Sequence, residues 1–161
     1  MTKMKIGAAQ IGGIRRAETR DQVVARMLAL MDQAHAQGVE FLSFPEMTLT
    51  TFFPRSDMEN RADFDIWFET QMPNPAVQPL LVRAKAYGMS FSFGYCELTP
   101  EGQHFNTAIL VDASGEITLK YRKTHLPGHA EFEAERTHQH LEKRSISCQA
   151  IPASTWCATP V

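Results

Sequence analysis

The first half of the chain alternates between short apolar runs and stretches with helical spacing. MKIGAA, which starts at Met4, ends at two glycines and predicts a strand followed by a turn. Thr19 and Gln22 match a capping box, and the apolar residues beyond them recur at helical spacing as far as Gly38. The dense apolar run VEFLSF is typical of a buried parallel strand. A strand–helix–strand unit of this length predicts a right-handed connection.

The pattern continues with two helices and three strands. ADFDIWFETQM predicts a short helix stopped by Pro73, and residues 76–87 predict a longer helix that ends at Gly88. From Met89 to Cys96, large apolar residues alternate with small ones at a period of two, which predicts a strand. FNTAILVD and EITLKYRK are joined by ASG and predict a β-hairpin. The fold class is therefore α/β, with an antiparallel portion late in the chain.

The character of the sequence changes after Arg144. SISCQAIPASTWCATPV contains no charged residue and shows no sustained periodicity. We therefore divide the chain into a structured portion, residues 1–144, and an unrelated tail, residues 145–161, which we expect to be disordered.

Composition narrows the class of protein. A chain of 161 residues is long enough for one domain that buries roughly two-thirds of its unfolded surface. The net charge of -2 provides no basic field for nucleic acid, and no apolar run is long enough to span a bilayer. The N-terminus lacks the long apolar run of a signal peptide. The odd count of three cysteines, Cys96, Cys148 and Cys157, favours a reducing compartment, so we expect a cytoplasmic protein.

Glu46 and Lys123 are the first candidates for chemistry. Glu46 follows a predicted parallel strand, and ligands of open α/β sheets bind beyond the carboxyl ends of such strands. Lys123 closes the last hairpin strand. In one dry pocket the carboxylate and the ammonium would stabilise each other's charge, and burial near Phe52 and Phe53 would raise the basicity of Glu46. From the spacing alone, a structural Glu–Lys ion pair or two unrelated surface residues is the favoured interpretation.

Several motifs in order resemble a known superfamily. FPEMTLT, FNTAILVDASGEI and KYRKTHLPG together resemble the nitrilase, or carbon–nitrogen hydrolase, superfamily. TTFFP and KYRKTHLPGHAEFEAERTHQHLEKR are similar to N-carbamoyl-D-amino-acid amidohydrolases. The resemblance extends from the first strand to about Arg144. It implies the N-terminal half of a four-layer αββα sandwich that hydrolyses non-peptide C–N bonds of a small molecule through a Glu–Lys–Cys triad.

The resemblance also implies roles for four residues. Glu46 corresponds to the general base, Lys123 to the cation that stabilises the tetrahedral oxyanion, and Glu142 to a second carboxylate near the triad. The set is chemically coherent because a thiol must lose its proton to attack a carbonyl carbon, and the resulting oxyanion needs a fixed positive group. His125 corresponds to a residue that lines the substrate pocket; a loop histidine bonded to backbone is the alternative.

The nucleophile of that family does not match this chain. The family carries a cysteine in a stretch resembling C-x-D-x-R, and no such stretch occurs here. We interpret Cys96 as a small core residue. Cys148 and Cys157 have neither the aspartate, the arginine nor a preceding apolar strand, so we expect the isolated chain to be inactive.

A shift of reading frame near Ser145 explains the tail. Plausible codons for ISCQAIPASTW, read one base earlier, permit YLVPGDPGFNV, the string expected after LEKR in the family. Without the second half of the sandwich, the strands would expose apolar faces, and we expect marginal solubility, self-association or dependence on another chain.

The sequence also contains candidate ligands for a metal site. Four histidines lie close together, with three glutamates among them: His125, His129, His138, His140, Glu131, Glu133 and Glu135. Their types suit zinc, but the spacing is irregular and no cysteine takes part, so a solvated loop and helix is the preferred interpretation. No G-x-G-x-x-G or Walker pattern is present either, and we expect no cofactor.

Overall fold

A computed structural model of the chain describes residues 3–53 and 61–124. Within them lie five strands, two α-helices and one 3₁₀-helix: β1 (Ile6–Ala8), α1 (Arg20–Ala36), β2 (Phe41–Ser43), the 3₁₀-helix (Arg61–Trp67), α2 (Gln78–Tyr87), β3 (Ser90–Leu98), β4 (His104–Val111) and β5 (Ile117–Arg122). The α/β class and the order of the elements are confirmed. The short helix predicted up to Pro73 is instead a 3₁₀-helix that ends at Trp67.

The five strands form one mixed sheet in the order β1-β2-β3-β4-β5. β1, β2 and β3 are parallel, whereas β3, β4 and β5 are antiparallel. Leu42 pairs with Phe91, and Phe91 pairs with Val111, so these side chains share one face of the sheet. The predicted hairpin is the β4–β5 pair.

Local signals in the sequence fix the ends of both helices. At the start of α1 the Thr19 side chain accepts a hydrogen bond from the Gln22 amide at 3.3 Å, and the Gln22 side chain accepts one from the Thr19 amide at 2.9 Å. This is the predicted capping box. Gly88 ends α2 with φ 58°, a left-handed conformation that glycine adopts without steric cost.

The core lies between the two helices and one face of the sheet. Large side chains of β3 point toward the helices, namely Phe91, Phe93 and Tyr95, and all three are buried. They pack with Met27 and Met31 of α1 and with residues of α2 in one apolar cluster. This burial is the main stabilising term of the fold.

Part of the opposite face of the sheet is apolar and is not covered by the two helices. Ile6 is 67% exposed and Tyr121 is 44% exposed, and Phe41, Leu110 and Leu119 between them are partly buried. These five residues define the open face. Strand alternation places them opposite the helix-covered core, as expected if the strands leave an apolar face uncovered.

Several predicted features fall outside the described residues: His125, Glu142, Cys148, Cys157, the histidine-rich stretch and residues 145–161. Among the residues that the structure does describe, no group of three His, Cys, Asp or Glu side chains is placed to hold a metal ion. The helices of this same part of the chain are too short or too polar to cross a membrane.

Candidate active site

Glu46 lies in a turn that leaves β2 and is anchored to β3. The Phe44 amide donates to the Ser92 carbonyl oxygen at 2.8 Å, and the Thr48 amide donates to that of Gly94 at 2.8 Å. The Gly94 amide donates in return to the Pro45 carbonyl oxygen at 3.3 Å. Three backbone hydrogen bonds, which flank Glu46 on both sides, therefore hold the backbone from which its side chain extends.

Gly94 lets this turn lie directly against the sheet. A Cβ atom at Gly94 would lie 2.8 Å from the Glu46 Cα and 3.0 Å from the Met47 amide nitrogen. Met47 itself has φ 53°, which is rare outside glycine and persists only where surrounding contacts hold it. The backbone at Glu46 is thus constrained from two sides.

Lys123 directly follows β5, which is an edge strand of the sheet. Its amide donates to the Asn106 carbonyl oxygen at 2.8 Å, which extends the β4–β5 pairing past the end of β5. Its Nζ donates to Glu46 Oε2 at 3.2 Å. Residues 77 positions apart therefore meet as an ion pair.

The pair is more accessible than the sequence predicts. The Glu46 side chain is 51% exposed and the Lys123 side chain 27% exposed, so the expectation of a buried carboxylate is wrong. The reason is the placement of the neighbouring phenylalanines. Phe53 turns into the interior, where its ring stacks on Trp67 at 5.0 Å between centroids, and Phe52 remains partly exposed. Neither aromatic ring shields the carboxylate from water.

Cys96 belongs to the interior. It is buried in a cluster with Phe53, Phe64 and Trp67, which confirms its interpretation as a small core residue. A thiol in such apolar surroundings is inert, because the reactive thiolate form needs a nearby positive charge or an exposed position.

A second charged cluster, on the helix side of the sheet, was missed by the sequence reasoning. Glu97 accepts hydrogen bonds from Thr107 Oγ1 at 2.7 Å, from Arg122 Nε at 2.9 Å and Nη2 at 2.8 Å, and from Lys120. Burial raises the pKa of Glu97, but the hydrogen bonds from Arg122, Lys120 and Thr107 outweigh it and lower the pKa to about 2. The sequence did contain a signal for this cluster. Glu97 follows Phe91, Phe93 and Tyr95 at the same spacing of two residues, so its side chain also points inward, and an acidic residue that points inward needs partners.

Acid is expected to destabilise the fold through Glu97. Its folded-state pKa lies below the ordinary 4.5, so its stabilisation is complete above pH 4.5 and is lost as the pH falls toward 2. The full shift would correspond to about 3 kcal/mol. Since Lys120 and Arg122 are about one-third exposed, we expect about 1–2 kcal/mol. Urea unfolding at pH 5 and pH 2.5 measures this loss.

A matched pair of variants isolates the contribution of Glu97. Glu97→Gln is expected to be less stable at pH 5 and to lose less free energy of unfolding than wild type between the two pH values. Glu116→Gln removes an exposed carboxylate that makes no salt bridge among the described residues and is expected to behave as wild type. An unchanged pH dependence in Glu97→Gln would contradict the assignment.

Comparison with known proteins shows the family of the chain. The carbon–nitrogen hydrolase family model matches residues 5–147. The chain belongs to the carbon–nitrogen hydrolase family. A hydrolase in the pqqF 5′ region of Pseudomonas protegens is 40% identical over 63 residues, which are 37% of this chain and 22% of that protein. A formamidase from Pseudomonas syringae is 31% identical over 88 residues, which are 55% of this chain and 24% of that protein.

The fold of this carbon–nitrogen hydrolase chain is also found in solved structures. The structure of a carbon–nitrogen hydrolase from Helicobacter pylori superposes with a TM-score of 0.62 at 19% sequence identity, over 77% of this chain and 40% of that one. This likeness shows the nitrilase-type fold. The chain spans about a quarter of the length of the curated relatives and less than half of the solved structure.

Proposed function

We propose that the chain provides the base and the cation of a carbon–nitrogen hydrolase site whose substrates are N-carbamoyl-D-amino acids. Glu46 is the general base and Lys123 stabilises the oxyanion. The observation that carries the proposal is the 3.2 Å contact between Lys123 Nζ and Glu46 Oε2, formed by residues that follow β5 and β2, two strands that are not neighbours in the sheet. Membership of the carbon–nitrogen hydrolase family supports this assignment over a purely structural ion pair.

The geometry suits the chemistry of amide hydrolysis. An exposed carboxylate oxygen can take a proton from a thiol and pass it to the leaving amine, after which it can activate the water that cleaves the thioester. The Lys123 ammonium carries three donors, and one of them is directed to Glu46. A second donor can face the oxyanion while the carboxylate keeps the ammonium in place.

Two further roles rest on motif resemblance. Glu142 in HLEKR is the second carboxylate of the site, and His125 contributes to the substrate pocket. The substrate class rests on the same run, KYRKTHLPGHAEFEAERTHQHLEKR, which is similar to N-carbamoyl-D-amino-acid amidohydrolases. The products would be the D-amino acid, ammonia and carbon dioxide.

A second proposal concerns the nucleophile. Cys96 is buried in the core, and Cys148 and Cys157 lack the C-x-D-x-R context. The thiol of the triad is therefore missing from this chain, and the isolated chain is a non-catalytic part of the fold. The tail from Ser145 onward is the product of a shifted reading frame, which the coding nucleotides can test directly.

The isolated chain is expected to release no ammonia from N-carbamoyl-D-alanine above the rate in buffer. The assay follows ammonia over time, with N-carbamoyl-L-alanine as the stereochemical control, and mass spectrometry of the protein detects any covalent adduct. Ammonia release, or a substrate adduct on Cys148 or Cys157, would contradict the missing nucleophile. It would leave the roles of Glu46 and Lys123 open to the variants described below.

The open face of the sheet leads us to propose self-association of the chain with a second copy. The five residues that define this face carry no charge, so two copies can pack these residues together without like-charge repulsion. Analytical ultracentrifugation is expected to show a concentration-dependent dimer. The double variant Ile6→Lys/Tyr121→Lys should shift it to monomer, whereas Val82→Lys, on an exposed position of α2, should not. A wild-type chain that sediments as a monomer at every concentration would contradict the proposal.

A further inference from the structure

The carboxylate of Glu97 binds the end of the strand that precedes Lys123. Glu97 belongs to β3, and Thr107 of β4 donates to its carboxylate at 2.7 Å. Arg122 and Lys120 of β5 donate to the same carboxylate, whose side chain is only 10% exposed. Apolar residues often replace a buried ion pair without loss of stability, so the presence of one points to a role in fixing a specific arrangement.

The contact with Arg122 fixes both the position and the orientation of its side chain. Arg122 Nε donates to Glu97 Oε2 at 2.9 Å, and Nη2 donates to Oε1 at 2.8 Å, so the contact is bidentate. The guanidinium also lies over the Phe105 ring, 4.0 Å from its centroid. A planar guanidinium held in this way has little freedom to turn. Arg122 is therefore held on the helix side of the sheet.

The side of the sheet on which Arg122 lies decides where Lys123 points. Successive side chains of a strand point to opposite faces, so with Arg122 on the helix side Lys123 lies on the other face. Glu46 is on that face as well, because a Cβ atom at Gly94, the neighbour of inward-facing Tyr95, would lie 2.8 Å from the Glu46 Cα. A slip of β5 by one residue would turn Lys123 away from Glu46.

The backbone pairing of β5 does not by itself determine this register. Within the described sheet β5 is an edge strand that pairs with β4. The β4–β5 register shifts between Leu110 and Val111, so a register set at the turn is not carried unchanged along the hairpin. Beyond β5, the Lys123 amide continues the pairing with its hydrogen bond to the Asn106 carbonyl oxygen. Contacts between side chains are needed to specify which residues pair at this end.

We propose that Glu97 is a positioning residue for Lys123. By holding Arg122 on the helix side, its carboxylate fixes the register at the end of β5 and directs the Lys123 ammonium to Glu46. The inference rests on the proposed function, in which Lys123 is the cation that stabilises the oxyanion. β3 then serves both halves of the site, since Gly94 lies against the Glu46 turn and Glu97 holds the end of β5.

Hydrogen exchange of backbone amides in the full 161-residue chain tests the positioning without any need for activity. Glu97→Gln keeps the shape of the side chain but removes the charge that binds Arg122. It is expected to speed exchange of the Lys123 amide by about tenfold or more. The Phe44 amide, which donates to the Ser92 carbonyl oxygen beside the Glu46 turn, should be affected by a smaller factor. Equal acceleration of both amides would show a general loss of stability and would overturn the proposal.

The ¹⁵Nζ resonance of Lys123, assigned by its loss in Lys123→Met, reports the contact with Glu46. Glu46→Gln should shift this resonance in wild type and should shift it less in the Glu97→Gln background. Arg122→Met should act as Glu97→Gln does, which also covers the case of a Glu97 variant that fails to fold. The double variant Glu97→Gln/Arg122→Met should add little to either change, because both remove one contact. An equal Nζ shift in both backgrounds, or additive effects, would overturn the proposal.

Activity separates this inference from the proposed function. In a form of the protein that carries the missing thiol, Glu97→Gln is expected to lower kcat about 10–10²-fold with little change in KM. Arg83→Met removes an arginine that pairs with Asp32 on the helices and should leave kcat unchanged. Full activity in Lys123→Met would contradict the proposed function, whereas the exchange and Nζ measurements would still decide the positioning. Wild-type kcat in Glu97→Gln, together with a loss in Lys123→Met, would overturn the role of Glu97.

Discussion

Glu46→Gln is expected to lower the rate of ammonia release from N-carbamoyl-D-alanine by about 10²–10⁴-fold in a form of the protein that carries the missing thiol. The proposed source of that form is the polypeptide encoded when the reading frame is shifted by one base near Ser145. Glutamine keeps the size of the side chain and an oxygen that accepts from Lys123, but it cannot take a proton from the thiol. The loss should therefore appear in kcat.

Lys123→Met tests the other half of the pair. It removes the positive charge next to the oxyanion and is expected to cost about 10²–10³-fold in kcat. The double variant should lose little more than the worse single variant, because groups that act as a unit are not additive. Glu101→Gln and Lys85→Met change exposed residues of the same types and serve as matched controls.

Three outcomes would each contradict a different part of the proposal. Full activity in Glu46→Gln would remove Glu46 as the base. An inactive frame-shifted polypeptide that folds would contradict the proposed origin of the tail. Equal losses in Glu101→Gln or Lys85→Met would point to a general effect on stability.

Local and periodic features of the fold could be predicted from the sequence. The capping box at Thr19, the left-handed glycine at Gly88 and the alternation along β3 each act within a few residues, so a single sequence contains the whole signal. The pairing of Glu46 with Lys123 could not be predicted from local features alone. The strand ends predicted where each residue lies, and motif resemblance assigned both residues to one site although they are 77 positions apart.

The features that could not be predicted depend on the directions of individual side chains, which the positions of the helices and strands do not determine. Phe52 and Phe53 are neighbours in sequence, yet only Phe53 enters the core, and this difference leaves Glu46 exposed. The inward phase of Glu97 indicates that it needs partners, but the partners themselves come from β4 and β5, where Thr107 pairs with Arg122 and Ile109 with Lys120. That register brings together residues distant in sequence, and the alternation along β3 alone does not contain it.

Gly94→Ala is expected to destabilise the described chain by about 3 kcal/mol. The added Cβ would lie 2.8 Å from the Glu46 Cα, a distance that real Cβ atoms do not tolerate. Overpacking typically costs about 1–3 kcal/mol, and the upper end applies here because the opposing atoms are backbone and cannot rotate away. Equilibrium unfolding in urea measures the change.

The same substitution is expected to displace the candidate site. The turn that carries Glu46 must move off β3, which weakens the hydrogen bond from the Thr48 amide to the Gly94 carbonyl oxygen and separates Glu46 from Lys123. Gly13→Ala is the matched control, since a Cβ there meets no atom within 4 Å and its backbone needs no positive φ. If Gly94→Ala were as stable as Gly13→Ala, the close approach of the Glu46 turn to β3 would be wrong, and with it the positioning of the carboxylate by the sheet.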